Sequence, residues 1–270
     1  MTTPATTTTA RPDAQAVKAA AGKRVADQLQ ARQDRLAEYT QCLRLLHPDP
    51  ADVFEVRFLN VPNNRWKPIQ ASGYFDGHHL DAAAIAIETY SEDRKAAGCY
   101  VTLNARNPAL LARAHNRVVD NPAATTTDAE IIRRQWLFVD IDPIRPSGIA
   151  ANDAEVKAAE DLLEVVVERL RGFSFSYPLI ANSGNGRYAL YKIDLKNNDE
   201  STAMLRRFYA GLRAILPTPD PGGPSADIDT GVYNAARIAR IGGTWNRKGD
   251  STPDRPHRRC QYFDPGDSLD

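Results

Sequence analysis

The chain has 270 residues, of which 42% are hydrophobic and 25% charged, and its 34 Lys and Arg balance its 34 Asp and Glu. This composition is ordinary for a soluble globular protein with a sizeable core. The zero formal net charge excludes a uniformly basic nucleic-acid-binding protein, so any such surface has to come from local segregation of charge. No apolar run approaches the ~20 residues that span a bilayer, and no membrane partner is expected.

Cysteine, histidine and glycine patterns exclude several classes of site. Cys42, Cys99 and Cys260 lie far apart and form no C-x-x-C pair, so we expect neither a zinc knuckle nor a disulfide framework, and the expected compartment is a reducing cytoplasm. The adjacent His78 and His79 would face opposite sides of a strand, which disfavours a shared metal ion. No G-x-x-x-x-G-K-[ST] occurs, so the chain is not by itself a P-loop ATPase or helicase.

Three regions are predicted in chain order. Residues 1–12 are rich in Thr, Ala and Pro and are expected to form a disordered tail. Residues 13–48 are expected to form a helical extension that ends at a His-Pro pair, and residues 49–265 to form the main domain. The apolar positions that favour one face of the helical extension are Val17, Val25, Leu29, Leu36, Leu43 and Leu46.

The most informative stretch is WLFVDIDP at residues 136–143, in which apolar, β-prone residues lead into two aspartates. In a strand, Asp140 and Asp142 share one face while Ile141 points into the core. Two carboxylates on one face are hard oxygen ligands of the kind that Mg²⁺ and Mn²⁺ prefer. On its own the pattern is weak, because aspartates that begin a turn or cap an element give the same spacing.

A strand, helix and strand follow one another after these aspartates. Asn152 and Glu155 have the spacing of a capping box, and Gly172 is placed to end the helix. Residues 178–181 then read as a strand, so that the whole segment predicts an α/β unit.

Two further segments carry possible chemistry. A tight turn, SGNG at residues 183–186, joins two predicted strands and could present backbone amides to phosphate. Downstream, Asp227 and Asp229 form a second acidic pair. Residues 237–260 contain seven Lys and Arg against two Asp, a local excess typical of phosphate binding, although a solvated basic face would look the same.

Taken in order, these motifs resemble the archaeo-eukaryotic primase superfamily, in particular the primase-polymerase domains of phage and plasmid replication proteins. The resemblance covers about residues 50–263. The strand ending in Asp140-Ile141-Asp142 is similar to the family's metal-binding D-x-D, with YVTLN at residues 100–104 before it and RPSG at residues 145–148 after it. SGNGRY at residues 183–188 is similar to S-G-N-G-x-H, and residues 229–249 to the stretch with the third carboxylate and basic triphosphate contacts.

The resemblance implies a fold, an activity and a set of site residues. The fold is of the α/β (α+β) class, the archaeo-eukaryotic primase fold, with an α/β unit packed on an RRM-like sheet and an N-terminal helical extension. The activity is that of a template-directed DNA primase/polymerase in phage or plasmid replication, with Asp140, Asp142 and Asp229 as catalytic ligands of two Mg²⁺ or Mn²⁺ ions and Asp227 as the alternative third ligand. The implied nucleotide-binding residues are Ser183, Gly184, Asn185, Gly186, Arg187, Tyr188, Arg237, Arg240 and Lys248.

The implied partners are a single-stranded DNA template and primer, deoxyribo- or ribonucleoside triphosphates, and a helicase domain or subunit. One position departs from the family: Tyr188 stands where the family has a histidine, and a phenol carries no positive charge near neutral pH. Triphosphate binding is then expected to depend more on Arg187, Arg237, Arg240 and Lys248. The departure keeps open a weakly active or inactive DNA- or nucleotide-binding module, and a metal-dependent nuclease is the remaining alternative.

Overall fold

The computed structural model describes residues 14–63 and 67–263. The predicted tail at residues 1–12 lies outside the described residues, as do the last two residues of the predicted main domain and the side chain of Val17.

Helices and strands are mixed along the described chain. None of the described helices combines the length and apolar composition that crossing a bilayer requires. The α-helices are α1 (Ala14–Leu46), α2 (Leu80–Glu88), α3 (Asp153–Gly172) and α4 (Asp199–Ile215). Short 3₁₀ turns span Gly77–His79, Pro108–Arg113 and Asp128–Glu130, and a π-helical turn spans Thr89–Asp93. The strands are β1 (Val53–Val61), β2 (Ile69–Asp76), β3 (Gly98–Thr102), β4 (Ala105–Arg106), β5 (Arg117–Asp120), β6 (Ile131–Pro143), β7 (Leu179–Asn182), β8 (Arg187–Lys196), β9 (Ala226–Ile228), β10 (Ile238–Arg240), β11 (Trp245–Asn246), β12 (Arg258–Arg259) and β13 (Gln261–Phe263).

Two antiparallel sheets form the centre of the protein. The first has the strand order β10-β3-β1-β2-β5, and the second has the order β13-β7-β8-β6-β4, with β9 also paired to β6. A two-stranded ribbon of β11 and β12 stands beside them. The predicted mixed α/β class is therefore confirmed.

The predicted strand–helix–strand unit forms with one strand inserted. Both β6 and β7 pair antiparallel with β8, so β6 and β7 run in the same direction on either side of it. The helix between them, α3, packs against β6 and β8. This arrangement places the end of β6 beside the turn that connects β7 to β8.

Helix α3 forms where the sequence predicts it, because its capping residues and its apolar stripe indicate the same helix. The Asn152 side chain accepts the Glu155 amide at 2.9 Å, and the Glu155 carboxylate accepts the Asn152 amide at 3.0 Å, which completes the capping box. Leu163, Val166 and Leu170 are buried against the sheet. Each such side chain contributes roughly 1.5–3 kcal/mol on burial.

Only the second half of α1 packs on the main domain. Tyr39, Leu43 and Leu46 are buried, whereas Val25 and Leu29 are 55% and 57% exposed. Among the described side chains, the predicted apolar face of the helix is therefore buried only in its C-terminal part. There α1 contacts α2 and the loop around residue 243, and helical spacing alone does not show how far such a neighbour extends.

Candidate active site between the two sheets

A cleft of about 610 Å³ lies between the two large sheets. It brings together residues from six separate segments of the sequence, with charged side chains of both signs among them. The first sheet and its flanks contribute Leu59, Asn60, Ala97, Gly98, Tyr100, Arg237, Ile238, Ala239 and Arg240. The second sheet and the loops contribute Phe138, Asp140, Asp142, Arg145, Gly148, Ser183, Asn185, Tyr188, Asn246, Arg247, Lys248 and Gly249.

The two aspartates of β6 lie on one face of the strand, as predicted. Ile141 between them is fully buried, while Asp140 is half-buried and Asp142 is exposed to the cleft. Burial first, and then the negative charges of Asp142 and Asp229, raise the pKa of Asp140 above its ordinary value, and the positive charge of Arg237 opposes the shift. A divalent cation at this position would relieve the repulsion among the carboxylates.

The candidates for the third carboxylate have different surroundings. The Asp229 amide donates to the Asp140 carbonyl oxygen at 2.9 Å, so the end of β9 is fixed beside the first aspartate. Asp227 instead forms an ion pair with Arg213, whose Nε lies 2.6 Å from its Oδ1. Because Asp227 already has a cationic partner, Asp229 is the better placed of the two.

The carboxylates supply the donors for a divalent ion but do not form a closed cage. Among the described residues, no group of three or more His, Cys, Asp or Glu side chains is arranged to hold one metal ion. Mg²⁺ is usually bound by one or two carboxylates together with water and substrate phosphates. The donor set of Asp140 and Asp142, with the raised pKa of Asp140, fits that mode, and Asp229 acts on it as a neighbouring charge.

The backbone amides of the Ser-Gly-Asn-Gly turn are already hydrogen-bonded. The Ser183 hydroxyl oxygen accepts the amides of Gly186 at 2.9 Å and Asn185 at 3.4 Å, and the Asn182 side chain accepts the Gly184 amide at 2.8 Å. The amide of Ser183 itself donates to the Gly186 carbonyl at 3.0 Å. The predicted anion-binding nest is therefore not formed, because local oxygens satisfy the donors that it would need.

The turn instead connects the aspartate strand to the basic segment. A Cβ on Gly186 would lie 2.5 Å from the Ile141 carbonyl oxygen, and a Cβ on Gly184, whose φ is +86°, would lie 2.9 Å from the Arg258 carbonyl oxygen. The Asn246 side chain donates to the Ser183 carbonyl at 2.8 Å. Glycine is thus required where these backbones approach each other.

Tyr188 lines the cleft with its ring only. It is 2% exposed, and its hydroxyl lies 2.9 Å from the Arg240 carbonyl oxygen and 2.8 Å from the Tyr262 hydroxyl. The ring packs against Phe138, with the centroids 5.0 Å apart. Burial raises the pKa of Tyr188, so the side chain stays a neutral phenol. The hydroxyl is engaged within the fold, where it holds β10 and β13 against β8, and nucleotide contact by Tyr188 stays a prediction.

Arg187 lies on the other face of β8. Its guanidinium is 3.5 Å from the Glu160 carboxylate of α3, and the residue is 9% exposed. Alternation along the strand explains this placement, since a neighbour of Tyr188 has to point away from the cleft. Arg187 therefore does not line the cleft in this structure, and its contact with triphosphate stays a prediction.

The predicted cations Arg237, Arg240 and Lys248 do line the cleft. The Arg240 guanidinium stacks 4.6 Å from the centroid of the Tyr100 ring and donates to its hydroxyl at 2.6 Å. Arg237 donates to the Gly231 carbonyl at 3.3 Å, and Lys248 is exposed.

Two further cations, Arg145 and Arg247, were not among the predicted site residues. Arg145 is anchored through the Pro143 carbonyl at 3.0 Å and the Ile149 carbonyl at 3.3 Å, directly after the aspartate strand. Arg145 belongs to the RPSG segment at residues 145–148, and Arg247 belongs to the segment at residues 229–249. Their positions in these motifs could have identified them as site residues. The cleft thus contains five cationic side chains and the two aspartates of β6.

Fold and cleft together define a mixed α/β protein with carboxylates and cations facing one another. The chain matches no protein-family model and no curated protein. Among solved structures, it is similar to primase RepB' with 10% identity and a TM-score of 0.46, covering 85% of this chain and 56% of that one.

Two other solved structures are similar at the same level. The primase-polymerase domain of cyanophage S-2L has 14% identity and a TM-score of 0.43, with 86% of this chain and 89% of that one covered. The polymerase domain of Mycobacterium tuberculosis ligase D, in complex with DNA, has 12% identity and a TM-score of 0.40, with 84% and 80% covered. Because identity and TM-score are both low, function is inferred from the residues of the cleft.

Proposed function

We propose that the chain is a template-directed nucleotidyltransferase of the primase-polymerase type, acting in phage or plasmid DNA replication. The observation that carries the proposal is the cleft itself, where Asp140 and Asp142 of one sheet face cations from three other segments. Transfer of a nucleotidyl group requires both: carboxylates for divalent metal and fixed positive charge for a triphosphate. The substrates are a primer on a single-stranded DNA template and a nucleoside triphosphate.

Asp140 and Asp142, with Asp229 beside them, are the residues that would hold Mg²⁺ or Mn²⁺. Such ions activate the attacking 3′-hydroxyl and neutralise charge on the triphosphate and the leaving pyrophosphate. The raised pKa of Asp140 means that protonation competes with ion binding more strongly here than at an ordinary aspartate. Activity is therefore expected to rise with pH as Asp140 loses its proton.

The cations of the cleft position the triphosphate. Arg240 is held by the Tyr100 hydroxyl and by the Trp245 carbonyl at 3.1 Å, so little side-chain entropy is lost when it binds phosphate. Lys248 is exposed and reaches its ligand as a mobile point charge. Phosphoryl-type transfer asks mainly for positioning and electrostatic stabilisation, which these residues would supply together with the metal-binding carboxylates.

The test is primer extension by an Asp140→Asn/Asp142→Asn double variant. The change keeps the side-chain shape and removes the charge, and we expect extension to fall by at least about 100-fold, as for lost electrostatic stabilisation in other active sites. Asp93→Asn is the matched control, because Asp93 is exposed and lies outside the cleft. Circular dichroism checks that all variants are folded. Extension by the double variant at the wild-type rate would refute the proposal.

A DNA- or nucleotide-binding module without catalysis is the second candidate. It is favoured by the engagement of the Tyr188 hydroxyl within the fold, at the position where the resembling family has a histidine. This candidate predicts DNA binding that weakens steeply with salt. It also predicts no incorporation of labelled nucleotide with Mg²⁺ or Mn²⁺, so the wild-type extension assay separates the two.

A further inference from the structure

Asn60 is an unusual residue at the wall of the cleft. Strand β1 pairs regularly with β2 as far as the pair Phe58–Ala71, and the pairing resumes at Val61–Ile69. Between these pairs, two residues of β1 lie opposite one residue of β2, which is a β-bulge. Asn60 lies in this bulge with φ +51°. Bulges of this kind redirect side chains and are enriched next to active sites, and Asn is one of the few residues other than Gly that tolerates a left-handed conformation.

The side-chain amide of Asn60 is available to a ligand. The residue is exposed and lines the cleft, and its amide has no hydrogen-bond partner among the described residues. An amide offers two donors and one acceptor. The bulge therefore directs an unengaged hydrogen-bonding group into the cleft.

The wall beside Asn60 is formed by Leu59, Ala97, Gly98 and Tyr100. The Arg240 guanidinium lies over the Tyr100 ring, 4.6 Å from its centroid. A Cβ on Gly98 would lie 2.5 Å from the Tyr100 ring, so the absence of a side chain there allows the ring to lie along the wall. Aliphatic groups and a stacked arginine–tyrosine pair beside one amide match a nucleobase, which combines a π face with a hydrogen-bonding edge.

The opposite wall has different chemistry. There, Asp140 and Asp142 are suited to metal and phosphate, not to a base. A nucleotide has the same division, with its phosphates at one end and its base at the other. The phosphate end and the base end of a nucleotide would thus each meet a wall of suitable chemistry.

We infer that Asn60 hydrogen-bonds the base of the nucleotide that binds in the cleft, while the base lies beside Leu59 and the stacked pair of Tyr100 and Arg240. The inference rests on the proposed function and adds to it the residue that recognises the base. The contact is to a neutral group, so its loss is expected to weaken nucleotide binding by about 3- to 10-fold.

The test is a comparison of Asn60→Gly with Asn121→Gly by calorimetry in the presence of Mg²⁺. Glycine accepts the left-handed backbone at both positions, because Asn121 has φ +49°, is exposed, and lies outside the cleft. The probes are the four deoxynucleoside triphosphates and inorganic tripolyphosphate, which has no base. Asn60→Gly should weaken binding of the nucleotides and leave tripolyphosphate binding unchanged, whereas Asn121→Gly should change neither.

Each outcome has a defined meaning. If the wild-type protein binds nucleotides and extends primers, but Asn60→Gly binds nucleotides as tightly or also loses tripolyphosphate binding, the inference about Asn60 is overturned and the proposed function stands. If the wild-type protein neither binds nucleotides nor extends primers, both are overturned.

Discussion

Replacing Gly186 with alanine should displace the aspartate strand without altering any charged group. The added Cβ would lie 2.5 Å from the Ile141 carbonyl oxygen and 3.2 Å from Asp142 Oδ1. A Cβ contact below 3.0 Å essentially never occurs and ordinary contact begins at 3.4 Å, so the turn and β6 have to separate by about 0.5–0.9 Å. Backbone conformation is not the obstacle, because Gly186 is not among the residues with positive φ.

The expected effect on catalysis is large, and the effect on stability is moderate. Displacements of about 1 Å in an active site can cost 10²-fold in rate, and the separation worked out above approaches that value. Overpacking of a buried contact costs about 1–3 kcal/mol of folding free energy. We therefore expect Gly186→Ala to remain folded at 25 °C and to extend primers about 10- to 100-fold more slowly than the wild type.

Gly211→Ala is the control for this change. Gly211 lies inside α4, and an added Cβ would meet nothing within 4 Å, so this substitution should stabilise the protein by about 0.5–1 kcal/mol and leave extension unchanged. The assays are primer extension and urea unfolding on the same preparations. A Gly186→Ala protein that extends primers at the wild-type rate would show that the turn does not position Asp142.

Two other predictions concern stability. The pKa of Asp140 is raised in the fold, so the stability that this carboxyl contributes is complete below about pH 4 and is lost as the pH rises through the raised folded value. In chelator, Asp140→Asn should therefore be increasingly more stable than the wild type from pH 4 to 8 in thermal unfolding, and a constant difference would contradict this. Glu155→Ala should cost about 1–2 kcal/mol in urea unfolding, because Glu155 caps α3 and pairs with Arg255 at 2.6 Å. Glu155→Gln, which can still cap, should lose less, and equal losses would show that the cap contributes nothing.

Several features were predictable because they depend on neighbours in the sequence. The alternation of Asp140, Ile141 and Asp142 follows from the strand period, and the capping box of α3 follows from residues three apart. The tight turn at residues 183–186 was recognised from its own Ser, Gly and Asn residues, although the groups that its glycines approach were not known. The α/β unit after Asp142 followed from the order of its elements, whereas the complete fold was implied by the family resemblance.

Features that depend on distant partners were not predictable. The hydroxyl of Tyr188 is bound to groups at residues 240 and 262, and Arg187 meets a carboxylate on α3, so neither contact leaves a local pattern in the sequence. Asp227 and Asp229 look alike in sequence, and the ion pair of Asp227 with Arg213 separates them only in the fold.

The sequence by itself determined which residue types are present at the site: paired carboxylates, a glycine-rich turn and a basic segment. The tertiary structure decided which of them face the cleft. It also revealed Asn60, which no motif indicates, because a single extra residue in β1 directs its side chain towards the same space as Asp140. The physical reason is that strand period and capping act over a few residues, whereas a cleft between two sheets is formed by contacts between segments more than 100 positions apart.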